Sequence, residues 1–351
     1  MNIRYLMTAV LIGAVTATVG LKAQDDEGEF RRLLEQEEFS KVGVGTGTFL
    51  QIPVGARGTS LGSGFAGVAD DASALYWNPA GITQVEGMSV NASYQAMFAG
   101  ITHNFAGISF PISSSYTLGV SATTLSSGDI PVTDLFNQDG TGGFYSATDL
   151  AFGVSFAGQL TDQFSYGVTG KIVNMSIADV SASGVAFDFG TMYDPGFLGL
   201  NFGFVIQNLS APLKYSGPGL LQKGSTDQVT GNRDPDVELE SNSVSLPLIF
   251  RAGLGVDILE DNEDHALKAN TEFSTTSNAP EHLGIGVEYV WKKLLAARVG
   301  YQLGSSDAYG LSAGLGLTYE SGSFNAGIDY AIRPHQTLGL LNTITASVRL
   351  R

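Results

Sequence analysis

The chain contains no cysteine, which excludes disulfides, thiol catalysis and thiolate metal sites together. Charge is scarce as well, at 15% of 351 residues. Beyond the N-terminal segment no apolar run is long enough for a membrane helix, which needs about 20 consecutive apolar residues. Cations are fewest of all: 18 Lys and Arg stand against 34 Asp and Glu, for a net charge of −16. Phosphate backbones repel such a chain, so nucleic acid is not an expected partner; basic proteins or divalent cations match it better. The 4 histidines, His103, His265, His282 and His335, fall in separate segments without helical i+3 or i+4 company, so no metal site is expected. No Ser/His/Asp set rises above chance among so many serines. Gly43-Val44-Gly45-Thr46-Gly47 has neither the strand before it nor the helix after it that a nucleotide loop needs. The composition therefore points to a protein that is not an enzyme and carries no cofactor.

What the chain does contain is glycine, 45 residues of it, and alternation. Arg4 followed by the apolar stretch Tyr5–Val19 and the small-residue site at Ala23 predicts a secretory signal peptide over residues 1–23. Residues 24–42 form an acidic leader, expected on the periplasmic side, in which Phe30, Leu33 and Leu34 have the spacing of a short helix. Residues 43–87 are Gly-rich and lack clean alternation. They read as a plug whose backbone passes close to a wall where a Cβ would collide. Within it, Asp70-Asp71-Ala72-Ser73 is expected to cap a short helix that Pro79 and Gly81 end.

From Met88 the period changes to two. Leu311, Ala313, Leu315, Leu317 and Tyr319 share one face, and Ser312, Gly314, Gly316 and Thr318 the other. Segments of about 10 residues with aromatics at their ends fit tilted membrane strands better than a soluble sandwich. Fourteen are expected, near 88–98, 101–111, 115–125, 148–158, 163–176, 181–192, 199–209, 243–258, 265–276, 281–292, 294–303, 308–319, 323–333 and 339–351. The reading is thus an all-β protein: a 14-stranded antiparallel transmembrane β-barrel over 88–351 with the N-terminal plug in its lumen, in the outer membrane and in contact with its lipids.

Ten charges fall on the non-lipid side of their strands, among them Lys171, Asp188, Arg251, Glu288, Arg298 and Asp329. A Lys or Arg facing lipid near the midplane costs about 2–4 kcal/mol, so these are expected inside. There they either pair and hold the plug or line a polar path. If the first strand runs outward, the two long links, 126–147 and 210–242, lie outside. Leu135, Phe136, Phe144 and Tyr145 in the first, and Tyr215, Leu220 and Leu221 in the second, are candidate partner contacts. Each loop is alternatively a lid folded over the barrel mouth. Asp234, Asp236, Glu238 and Glu240 lack the EF-hand spacing.

Gly55-Ala56-Arg57-Gly58, then Phe65-Ala66-Gly67-Val68-Ala69-Asp70-Asp71 and the turn Asn78-Pro79-Ala80-Gly81, resemble the N-terminal plug of FadL-like outer-membrane proteins, in particular the PorV/PorQ branch. The resemblance marks Gly55, Arg57, Asp70, Asp71, Asn78, Pro79 and Gly81 as the plug motif. It implies a non-catalytic component of type IX secretion that binds a giant translocon barrel and secreted cargo. The FadL side of the superfamily implies instead a transporter for long-chain fatty acids or other apolar solutes, taken up through the barrel wall. The ending Val348-Arg349-Leu350-Arg351 departs from the aromatic residue usual in such barrels, although its last strand still alternates.

Overall fold

The computed structural model describes residues 45–223, 236–259, 264–304, 310–335 and 339–350. The expected signal peptide, the leader, Gly43, Val44 and part of the acidic half of the second long link lie outside the described residues.

Alternation with lipid on one side demands a sheet with no free edge, because an unpaired backbone group in hydrocarbon has no water to satisfy it. The chain meets that demand with fourteen antiparallel strands in a closed barrel. They are β1 (Met88–Ala96), β2 (Thr102–Pro111), β3 (Tyr116–Ser126), β4 (Ala147–Thr161), β5 (Phe164–Ile177), β6 (Val180–Tyr193) and β7 (Leu200–Ser210), then β8 (Ile249–Asp257), β9 (His265–Thr276), β10 (Ala279–Trp291), β11 (Leu295–Leu303), β12 (Leu311–Glu320), β13 (Phe324–His335) and β14 (Gly339–Leu350). Each pairs with its chain neighbours, and β14 closes on β1 from Met88↔Leu350 to Ala96↔Asn342. Every expected strand region holds a strand. The largest shift is in β8, expected from 243 but starting at Ile249: Val244 pairs with Leu213 and Leu246 is buried, so this stretch belongs to the preceding loop.

The apolar edge of each strand looks outward. Phe152, Val154, Ile172, Phe187, Phe204, Leu315 and Ile328 are all exposed. In water such a belt would be untenable at roughly 25 cal/mol per Å² of apolar surface; in hydrocarbon it is the matching solvent. A soluble sandwich is excluded, because its apolar side chains would lie between two facing layers.

Both long connections, after β3 and after β7, leave the same end of the barrel, whereas the links at the other end are short: 112–115, 162–163, 194–199, 258–264, 292–294 and 321–323. That asymmetry marks the long-loop end as external.

Residues 45–87 occupy the lumen. They carry two short helices, α1 (Ala56–Ser60) and α2 (Ala74–Trp77), and 3-10 turns at Thr48–Gln51 and Pro79–Gln84. The plug's first described residues lie at the external end, where the Thr46 N–H meets the Ser245 carbonyl at 3.2 Å, and the plug leaves at the opposite end into β1. The wall's inner face is mostly small and polar, so the plug supplies most of its own core: Val54, Leu61, Phe65, Leu75, Trp77 and Ile82. Trp77 is fully buried, donates to the Val54 carbonyl at 3.0 Å and packs edge-on against Phe65.

Candidate functional site

The plug motif forms the joint between plug and wall. Gly55 turns the chain with φ +75° into α1, a conformation a side chain would strain. Arg57, on α1, is the hub. Its guanidinium is shared between the plug's own Asp70 and Asp71 (3.3 Å) and Glu288 of β10 (2.9 Å), and it lies over the Phe65 ring at 5.1 Å. Glu288 in turn accepts from Arg298 of β11 at 2.9 Å, and Arg298 reaches Asp329 of β13. The path from plug to wall is thus a chain of charge-assisted bonds, stronger than neutral ones.

Asp71 also accepts from the Ser73 N–H (2.7 Å) and hydroxyl. The short helix therefore starts differently from expectation. Its N-cap Ser73 makes no side-chain cap bond, and Asp71 instead fixes the turn ahead of it. Asn78 ends that helix in extended conformation, and Pro79 opens a new 3-10 turn rather than only stopping the old one. The Asn78 amide donates to the carbonyls of Ala66 (2.9 Å) and Thr191 on β6 (3.1 Å), while its oxygen accepts from the Ala80 N–H. Asn78-Pro79 can sit this close only because the wall beneath is Gly167 and Gly190: a Cβ on Gly190 would lie 2.2 Å from Asn78 Oδ1. Gly81 is held to glycine in the same way, with a Cβ 2.3 Å from the Ala69 carbonyl.

All six lumen charges singled out from the sequence stand in ion pairs. Besides the Arg57 chain, Arg251 of β8 pairs with Glu272 of β9 at 2.9 Å, and Lys171 of β5 with Asp188 of β6 at 2.8 Å. Glu272 also accepts the plug's Ala66 N–H at 2.7 Å, and Arg251 lies over the Trp77 ring at 5.0 Å. His103 and His282 face the lumen from β2 and β10, whereas half-buried His265 bonds Tyr289. Among the described residues no cluster of metal-ligating side chains occurs.

Between plug and wall, on the β2–β7 side, lies a small cavity of ≈ 20 Å³. Leu50, Leu75 and Tyr76 line it from the plug, Phe105 and Ala151 from the wall, and Lys171, Asp188, Gln207 and Asn208 form its polar side. Sequence periodicity missed Asn208. In strict alternation it would face lipid, but a bulge in β7 shifts the β6–β7 register between Phe187 and Phe189, and Asn208 takes φ +63°. Gln207 and Asn208 are therefore both buried. An amide at a lipid-facing position was the available signal.

Above the cavity the second long link closes the mouth. Leu213 and Leu246 are buried with Phe49 and Leu50 of the plug and with Ala151, Val173, Met175, Ala182 and Ala186 of the wall. The Tyr215 hydroxyl bonds Thr46 at 2.8 Å. Tyr215, considered above as an outward partner contact, is thus turned inward; Leu220 is half-buried and Leu221 exposed. The first long link projects away. Its strands Ile130–Pro131 and Phe144–Tyr145 pair below a tip where Leu135 and Phe136 are 88% and 94% exposed. At that tip Asp134 accepts from the Asn137 amide side chain and from the backbone N–H groups of Phe136 and Asn137, which holds its carboxyl below the usual range.

No family model matches the chain, and no curated protein does. Solved structures do. The "CymD monoaromatic hydrocarbon channel" superimposes with a TM-score of 0.57 at 15% identity, over 85% of this chain and 97% of that one. The Pseudomonas putida toluene transporter TodX does so with a TM-score of 0.53 at 11% identity, over 84% and 97%. The fold is FadL-like. Identities this low carry the architecture, a fourteen-strand barrel, and leave solute and partner to be argued from the site.

Proposed function

We propose that this protein is an outer-membrane channel for a small apolar solute, closed in the described conformation by its own plug and lid. The observation that supports this reading is the enclosed space beneath the lid. It has apolar side chains from both plug and wall, Leu50, Leu75, Tyr76, Phe105 and Ala151, set against the polar groups of Lys171, Asp188, Gln207 and Asn208. Buried apolar contact is what an apolar ligand needs. The likeness to hydrocarbon channels supports the same class. A solute can pass only if the plug shifts, since plug backbone touches wall backbone: a Cβ on Gly300 would lie 2.0 Å from the Gly62 nitrogen.

The absence of native cysteine gives a direct test. Ala56→Cys with Thr345→Cys joins plug to wall where the Ala56 N–H already donates to Thr345 Oγ1 at 2.8 Å. Uptake of radiolabelled toluene or oleate by cells bearing the oxidised pair falls to the level of cells lacking the protein, and reductant restores it. Undiminished uptake with the bridge formed defeats the reading.

One observation favours a second reading, that of a type IX secretion component of the PorV/PorQ kind. The projecting hairpin offers Leu135, Phe136, Phe144 and Tyr145 to the exterior, as an element that grips a translocon barrel or cargo would. Affinity purification from native outer membrane tests it: a giant barrel that co-purifies with the intact chain and is lost on deleting 127–146 supports it.

A further inference from the structure

The cavity beneath the lid is unevenly built, and the unevenness specifies a ligand. One side is a fixed polar cluster. The Lys171 ammonium donates to Asp188 at 2.8 Å and to the Asn208 amide oxygen; Asp188 also accepts the Asn208 N–H at 2.8 Å. The β7 bulge exists in the wall at this point and adds a second inward amide to the cluster. The other side is Leu75, 2% exposed, lying on a floor of two glycines. A Cβ on Gly107 or Gly119 would come within 3.0 Å and 2.3 Å of its methyl groups, and Phe105 flanks it. The space left between the two sides, ≈ 20 Å³, has room for about one water.

We infer that this is a binding site for a small neutral molecule with an apolar body and one hydroxyl group, phenol-like rather than a bare hydrocarbon or a carboxylate, and that Leu75 occupies the place of the body while the plug is seated. The inference rests on the channel reading above and names its solute. One cation and one anion face the cavity, and the neighbouring Arg251 is already matched by Glu272 at 2.9 Å. A carboxylate would gain from Lys171 what it loses to Asp188, and would shed its hydration as well. A hydrocarbon would displace water from polar groups and return no hydrogen bond. A hydroxyl donates to Asp188 and accepts from Lys171 in one place. Because Leu75 must withdraw before the body can enter, binding is coupled to movement of the plug.

The test uses the full chain in detergent with Trp291→Phe, leaving Trp77 as the single indole; its ring lies 5.1 Å from that of Tyr76, which lines the cavity. In this background Leu75→Ala empties the glycine floor. Phenol then quenches Trp77 saturably, whereas toluene and benzoate bind about tenfold more weakly. Lys171→Met combined with Asp188→Leu removes the pair without stranding either charge and abolishes the preference. If Leu75→Ala does not fold, Leu50→Ala opens the same cavity from its external side. Toluene binding as tightly as phenol overturns the inference while leaving an apolar-solute channel intact. Benzoate binding more tightly overturns it in favour of an anion site. Binding of no probe to either variant overturns it outright, and the channel reading then stands or falls on the plug-locked uptake measurement.

Discussion

Two long loops leave the same end of this barrel and meet opposite fates. The link after β7 folds inward and buries Leu213 and Leu246; the link after β3 stands clear and exposes Leu135 and Phe136. Both carry apolar side chains, so composition does not separate them. The wall beneath does. Leu213 settles over Gly184, where a Cβ would come within 2.0 Å of it, between Ala182 and Ala186. The first link has no such socket: its tip is organised by Asp134 bonding to its own turn. A loop becomes a lid when the inner wall leaves room for it, and a projection when its own hydrogen bonds hold it upright.

Three variants probe that contrast. Leu213→Asp has the largest expected effect. It removes a buried leucine worth about 2–5 kcal/mol and replaces it with a group that must reach water. The lid lifts, and limited proteolysis of the intact protein is expected to cut faster at the lid residues 211–223 and 236–248 than in the unsubstituted chain. Tyr215→Phe is milder: loss of the bond to Thr46 weakens lid closure by about 0.5–1.5 kcal/mol, read as a proportionate rise in the same cleavage rate. Leu135→Ser with Phe136→Ser changes barrel stability least, within about 0.5 kcal/mol by urea unfolding in detergent, and leaves lid cleavage unchanged. Equal sensitivity of the two loops to these changes would erase the distinction between them.

The wall was the more legible part of the sequence. Strands such as β12 announce themselves because lipid on one side and plug on the other impose opposite chemistry on successive residues. The expectation slipped where that imposition stops. The stretch from 243 to 248 alternates like a strand but serves the lid, and Asn208 escapes its lipid-facing position through a bulge. The lumen charges could be placed on the inner face but not paired, since Arg57 and Glu288 stand 231 residues apart and nothing local links them. Asn78 and Pro79 were recognisable as a turn, yet their seat on Gly167 and Gly190 is a property of two other strands. Which loop would fold inward depended on Gly184, equally remote.

Closure of β14 on β1 sets the order in which the molecule is completed. The first strand after the plug finds its second neighbour only when the last strand arrives, with Met88 opposite Leu350. Arg349 on that last strand donates to the plug's Asp70 carbonyl at 3.1 Å. The seam is therefore fastened twice: the final stave that shuts the cylinder also clasps what lies in the hull.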